Sequence, residues 1–398
     1  MMFFQYKKWI VLTATVCALV VGTTTAAASA EPVVIGAPLP LTGDLREFGQ
    51  IMKNSLEMAG EAVNRAGGVK GRPLKLLFAD DKGNVSMVEK VVNDLTAAGS
   101  VMLVGGYASD PTYRMAKLAQ TRDMPFLIST ASADKITRRY WENIYRLNPP
   151  VSEYTKGLED FWIKNFKPKS MAIIYENSMF GTTGAMRKME FCRDRAIEIR
   201  AQITYDRKTA KPAYLRSLLA PLTAEPPDVI YMIAYLEDAV MLVQQIRALK
   251  IPALLCGGAG GFALEEFAKR AGSAANYVLT ASLWSPKVPY PGAMAYHTRY
   301  TERYGSMPSY HGAEAYAALL VAADALKRAK SFKPMAIRTA LDQTYMQTPF
   351  GPVKFYHYED YKRQNSVNTL VLQIIDGKFE TVWPPEVASS QFTLPTAD

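Results

Sequence analysis

Short apolar runs alternate along the chain with stretches in which apolar residues recur every three or four positions. Val33–Ala37, Leu74–Ala79, Val101–Val104 and Phe126–Ile128 are runs of the first kind, suited to strands buried on both faces of a parallel sheet. Between the first two, Met52, Leu56, Ala59 and Val63 fall on one face of a helix predicted over Gln50–Val63, and Gly67-Gly68 stops it. Ser86 with Glu89 reads as a capping box ahead of a helix that turns Val88, Val91, Val92 and Leu95 inward. Asp110-Pro111 reads as another helix start, with Asp as the cap and Pro at a first-turn position that tolerates it.

Pro149-Pro150 can continue neither a helix nor a central strand, so a boundary is placed there. The alternation then restarts. A helix is predicted over Ser152–Asn165, strands at Met171–Tyr175, Ile197–Tyr205, Val229–Ile233, Ala253–Cys256 and Tyr277–Ala281, and helices from Phe180 to Arg195, at Tyr214–Leu222 and at Glu237–Leu249. After Ala281 come helices with no clear strands between them, about Gly292–Tyr304, Ala313–Lys330 and Pro334–Asp342, then extended segments at Gly351–Tyr356 and Thr369–Ile375 and a proline-rich tail expected on the surface. Alternation of this kind predicts an α/β protein with two doubly wound parallel-sheet halves.

The strand ends carry the candidate chemistry. Val101–Val104 runs into Gly105-Gly106-Tyr107-Ala108-Ser109, and Phe126–Ile128 into Ser129-Thr130-Ala131-Ser132-Ala133. Ligands of open α/β sheets sit outside the carboxyl ends of the strands, where helix N-termini favour anions. A small anionic group, most simply a carboxylate, is expected near Ser109 and Ala131–Ala133; ordinary strand-to-helix turns are the competing explanation.

Length adds that 398 residues exceed one core, so two domains are expected. A hydrophobic fraction of 49% and a charged fraction of 21% are ordinary for a globular protein. Lys7 and Lys8, the apolar run Trp9–Gly22 and Ala28-Ser29-Ala30 fit a cleaved signal peptide with Glu31 first in the mature chain, which lowers the formal charge from +9 to +7 and predicts an exported, periplasmic protein. The basic residues are scattered and form no stripe that would track nucleic-acid phosphates, so no nucleic-acid partner is expected. Cys192 and Cys256 remain after cleavage, either bridged or free.

Catalytic signatures are scarce. His297, His311 and His357 make no metal set and read as structural, and no cofactor is expected. No phosphate-binding loop, dinucleotide fingerprint or nucleophile elbow occurs. Gly257-Gly258-Ala259-Gly260-Gly261 follows a strand and reads as a loop that lets a ligand or another backbone approach closely, with Gly258 as a candidate contact. The reading is therefore a binding protein and not an enzyme.

The order of motifs resembles the solute-binding proteins of ABC transporters of the leucine/isoleucine/valine type, a type I periplasmic binding protein family. The residues that carry the resemblance are Ile35-Gly36 with Pro40-Leu41-Thr42-Gly43, Asn64 to Arg72, Gly105-Gly106 with Ser109, Pro125 to Ala131, Arg146, Phe180-Gly181, Tyr304 to Pro308, and Thr348 to Gly351. It implies two lobes joined by a three-strand hinge, residues 31–149 with 282–347 and residues 150–281 with 348–398, closing on one solute. The closed form, a monomer, would then dock on a membrane permease. Carried over residue by residue, Ser109 and Ala131 match the family's carboxylate-holding positions, with Ser132 between Ala131 and Ala133, and Ala133 stands where Thr is common. Phe48 stands where Tyr is frequent, and Phe180 and Tyr235 match aromatic walls. The loop that usually supplies an acid for an ammonium, here Cys256–Gly261, has none. Together with Tyr107, Tyr154 and Trp284 as further aromatic lining, these departures imply a small carboxylate without an α-amino group and with an aromatic body. Glu237 and Asp238, close to Tyr235, keep a branched-chain or other amino acid as the alternative, and a ligand-sensing protein of the same fold as another.

Overall fold

The computed structural model describes residues 1–2 and 31–394. The signal-peptide segment lies outside the described residues.

In the first lobe, β1 (Val33–Leu39), β2 (Leu74–Asp80), β3 (Met102–Gly105), β4 (Phe126–Ile128) and β5 (Ile144–Arg146) pair in parallel in the order 2-1-3-4-5. They alternate with α1 (Arg46–Arg65), α2 (Val88–Ala97) and α3 (Ser109–Thr121). Strands β1, β3 and β4 are buried almost throughout, as their uncharged sequences require. The capping box does not form: Asn84 accepts from the Ser86 N–H at 3.0 Å, and α2 starts only at Val88. The Asn side chain sits one turn earlier and captures the first free donor.

The second lobe opens with α4 (Val151–Tyr154) and α5 (Lys156–Phe161), which with a π turn at Trp162–Phe166 replace the single helix expected there. It continues with β6 (Ser170–Glu176), α6 (Met179–Asp194), β7 (Glu198–Tyr205), α7 (Pro212–Leu219), β8 (Val229–Ile233), α8 (Leu236–Ala248), β9 (Leu254–Gly257), α9 (Glu265–Ala271) and β10 (Leu279–Ser282). Its parallel strands run in the order 7-6-8-9-10.

The late helices α10 (Ala293–Tyr304), α11 (Tyr310–Arg328) and α12 (Pro334–Asp342) return to the first lobe, where α11 packs along α1 and reaches β3 and β4. A small hairpin follows, β11 (Tyr345–Thr348) with β12 (Gly351–Lys354). Next, β13 (Tyr356–Tyr358) and β14 (Tyr361–Gln364) join the edge of the first sheet through β5. The first lobe's sheet thus takes in the chain as far as Gln364, and the last crossing follows it, later than the expected boundary at 347. Gln364 is held there by the buried Arg146, whose Nε donates to its Oε1 at 2.6 Å. Finally β15 (Leu370–Ile375) and β16 (Lys378–Trp383) add antiparallel to the second sheet, so part of the expected surface tail is strand. The chain crosses between lobes three times, after β5, β10 and β14. Cys192 and Cys256 are buried and free.

Candidate functional site

The two sheets face each other with the carboxyl ends of their parallel strands toward one space of about 260 Å³. Its walls come from the turns that leave those strands: Tyr107 and Ser109 after β3, Thr130 and Ser132 after β4, Phe180 beyond β6, Tyr235 after β8 and Gly260 after β9, with Tyr310 and His311 from the start of α11. Two glycines make the approach possible. Gly106 holds φ +80°, and a Cβ there would stand 2.8 Å from Thr112 Cγ2. Gly260 holds φ +59°, with a Cβ falling 2.9 Å from the Ala234 carbonyl and 3.4 Å from the Phe180 ring.

Four helices begin at this space: α3 at Ser109, α6 at Met179, α8 at Leu236 just after the lining Tyr235, and α11 at Tyr310. No side chain caps α3, α8 or α11, so their first-turn donors and positive dipole ends are left for a ligand. Helix α6 differs. Ser178 Oγ accepts from the Phe180 and Gly181 N–H groups, the buried Glu176 accepts from the Ser178 and Gly181 N–H groups, and Asp110 accepts from the Met179 N–H at 3.0 Å across the cleft. Asp110 is thus not the cap of its own helix; it caps a helix of the other lobe. Further contacts span the lobes, among them Gly260 N–H to the Tyr310 hydroxyl at 3.3 Å, Met307 N–H to Glu265 at 2.9 Å, and Arg207 to Asp44 at 3.8 Å. The lobes are closed.

The hydroxyl of Ser109 accepts from the Ala133 N–H at 3.1 Å, which leaves its own proton free to donate into the space. Arg146 donates to the Ala133 carbonyl at 2.8 Å and to Thr137 at 2.7 Å and so fixes the loop that carries Ser132. The aromatic walls form one cluster: Phe180 meets Tyr235 at 5.6 Å between ring centroids, Tyr107 meets Tyr235 at 6.0 Å, and Tyr310 stacks on His311 at 3.8 Å. Burial lowers the His311 pKa to about 3, so its ring is neutral. Arg207 lies over Tyr235, 4.9 Å from the ring centroid.

Of the residues named from sequence, Ser109, Tyr107, Ser132, Tyr154, Phe180 and Tyr235 line the space. The other four stand behind it. Phe48 is buried and stacked under Tyr107 at 4.5 Å. Ala131 has its N–H bonded to the Gly106 carbonyl, and Ala133 gives its N–H to Ser109, so neither backbone donor is free as expected. Gly258 packs against Tyr231, and it is Gly260 of this loop that lines the space instead. Trp284 donates to the Pro349 carbonyl at 2.8 Å near the hinge. Glu237 is paired with Arg270 at 2.6 Å, and the buried Asp238 accepts from the Tyr205 hydroxyl at 2.6 Å, so both acids are already partnered. Thr130, Gly260, Tyr310 and His311 were missed. For the last two, the signal was two polar aromatics opening an otherwise alanine-rich apolar helix.

A larger space of about 730 Å³ lies on the hinge side, bordered by Trp284, His297 and Phe379. Its charged groups are partnered, Glu265 with Met307 and Lys287 with Glu380 at 3.9 Å. Among the described residues, no group of His, Cys, Asp or Glu is arranged to hold a metal ion, and no helix is long and apolar enough to cross a membrane.

The sequence pattern of periplasmic binding proteins matches residues 32–378. The chain belongs to the periplasmic binding protein family. A curated relative, the Leu/Ile/Val-binding protein homolog 7 of Brucella melitensis, is 26% identical over 395 residues, covering 96% of this chain and 98% of the relative. Among solved structures, this periplasmic binding protein resembles the branched-chain amino acid transporter substrate-binding protein LivJ of Streptococcus pneumoniae, crystallised with isoleucine. The TM-score is 0.80 at 22% identity, covering 88% of this chain and 98% of the other. It also resembles an ABC transporter solute-binding protein of R. palustris in complex with benzoate, with a TM-score of 0.78 at 18% identity over 88% of this chain and 95% of the other. The two-lobed architecture of this periplasmic binding protein is thus shared with proteins crystallised with quite different carboxylates.

Proposed function

We propose that this protein is the exported, periplasmic solute receptor of an ABC import system of the branched-chain amino acid type. It closes its lobes on a small carboxylate with an aromatic body and no α-amino group, and presents the closed form to a membrane permease as a monomer. No bond is made or broken. The observation that carries the reading is the convergence of three uncapped helix N-termini, those of α3, α8 and α11, on a space lined by no Lys or Arg. Such an arrangement favours an anion through fixed backbone donors. Ser109 would donate to the carboxylate, with Ser132 beside it, and Tyr107, Phe180 and Tyr235 would face the ring. The solved relative that holds benzoate supports this class of ligand. An amino acid is the second reading, favoured by the isoleucine-bound relative and by one buried acid behind the wall, Glu314.

Isothermal titration of the mature protein against benzoate, a phenylpropanoid acid, leucine and phenylalanine separates the two. Binding of the plain acids with little for the amino acids is expected. Tight leucine binding with none for the plain acids would refute the proposal.

A further inference from the structure

Glu314 lies one helical turn beyond Tyr310 on the same face of α11 and is fully buried. Neither of its carboxyl oxygens has a hydrogen-bond partner among the described residues, although the Thr130 hydroxyl stands close enough to favour the charged form slightly. Thr130 itself reaches only Ser129 Oγ at 3.4 Å and Met52 Sδ at 4.0 Å. The Oδ1 of Asn148 is a second buried acceptor without a partner, while its Nδ2 donates to the Thr130 carbonyl and the Tyr154 hydroxyl. Thr130, Tyr154 and Tyr310 all line the ligand space. Directly behind that part of the lining stand polar groups that the fold leaves unanswered, and unanswered buried polar groups are costly.

From this juxtaposition we infer that Glu314, with Asn148 behind it, reads a hydroxyl substituent on the ligand, so that the solute is a hydroxylated aromatic carboxylate. The inference rests on the carboxylate reading of the cavity and narrows it. Burial without a neighbouring cation raises the Glu314 carboxyl well above the usual carboxylate range and so favours its neutral form. A neutral carboxyl offers one donor and one acceptor, which is what a hydroxyl needs. An ammonium would need an ionised partner and further acceptors, and the neutral His311 next along the helix supplies no compensating charge for a displaced proton.

Titration of the mature protein with benzoate, 2-, 3- and 4-hydroxybenzoate and phenylalanine tests this, in the wild type and in Glu314→Gln and Glu314→Leu. At least one hydroxybenzoate is expected to bind about tenfold or more tighter than benzoate, because a site built for a hydroxyl discriminates against its absence. Glu314→Gln keeps a donor and an acceptor and should preserve the preference; Glu314→Leu should reduce it to within about threefold. The wild-type comparison needs no variant to fold, and a crystal of the complex adds an independent readout, with the ligand hydroxyl expected against Glu314. Equal binding of all four acids, a preference untouched by Glu314→Leu, or a hydroxyl ordered elsewhere would overturn the inference and leave the carboxylate reading standing. Phenylalanine binding that Glu314→Gln abolishes, with no benzoate bound, would overturn both.

Discussion

Asp110, in the first turn of α3, accepts a hydrogen bond at 3.0 Å from the backbone N–H of Met179, the first residue of α6 in the opposite lobe. One lobe thereby caps a helix of the other, and the cap exists only when the lobes meet. Replacing Asp110 by Ala removes an acceptor at a helix N-terminus, an effect of about 1–2 kcal/mol. Ligand affinity should fall roughly five- to thirtyfold, and small-angle scattering should show a larger radius of gyration at subsaturating ligand. Unchanged affinity would show that closure does not draw on this contact.

Ser109→Ala removes a donor at the proposed carboxylate position and also strands the Ala133 N–H that Ser109 now accepts at 3.1 Å. A hydrogen bond to a charged group is worth about 1.5–3 kcal/mol. Affinity for aromatic carboxylates, read by calorimetry, should drop about ten- to a hundredfold, and the melting temperature should also fall because the buried Ala133 N–H loses its acceptor.

Arg207 sits over Tyr235 and reaches Asp44 at 3.8 Å with its side chain 20% exposed. As a cation beside the cleft it should steer anions more than hold them. Arg207→Gln is expected to slow association in stopped-flow fluorescence at low salt, with the difference shrinking as salt shortens the Debye length. A change confined to dissociation would contradict that role.

Ala259 carries φ +61° and ψ −138°, a conformation populated almost only by glycine. Ala259→Gly should raise stability by about 1 kcal/mol or more in chemical denaturation, since relief of strain outweighs the entropy that glycine adds to the unfolded chain.

His311 is held neutral by burial, with its pKa lowered from 6.5 to about 3. The unfolded chain takes up this proton below pH 6.5 while the folded one does not. The histidine's contribution is therefore fully favourable above 6.5 and is lost progressively as pH falls toward 3. Asp238, raised to about 7 by burial, runs the other way: it favours the fold at low pH and loses that contribution as pH rises from about 4 to 7. The prediction is thus a difference. The melting temperature of the wild type should fall more steeply between pH 6.5 and 4 than that of His311→Gln.

The strand ends were legible because a buried parallel strand has an unmistakable composition, and Val229–Ile233 or Phe126–Ile128 can hardly be anything else. What composition could not fix was direction within a turn. Ser109 and Ala133 are both in the right place, yet one faces the cavity and the other spends its amide on the first, which depends on hydrogen bonds between segments 24 residues apart. The α11 residues were beyond reach for another reason. Tyr310 and His311 come to the site only because α11 packs on α1, more than two hundred residues earlier in the chain. Strands β13 and β14 escaped notice because they are short and polar, with no apolar alternation to betray them.

Of the three uncapped helix starts at the cavity, α3 and α11 travel with one lobe and α8 with the other. Neither half alone holds all three of these ends. Pulling the halves apart therefore weakens the hold on a bound anion and readmits water in a single movement, so spreading the lobes suffices to release it, with no separate trigger.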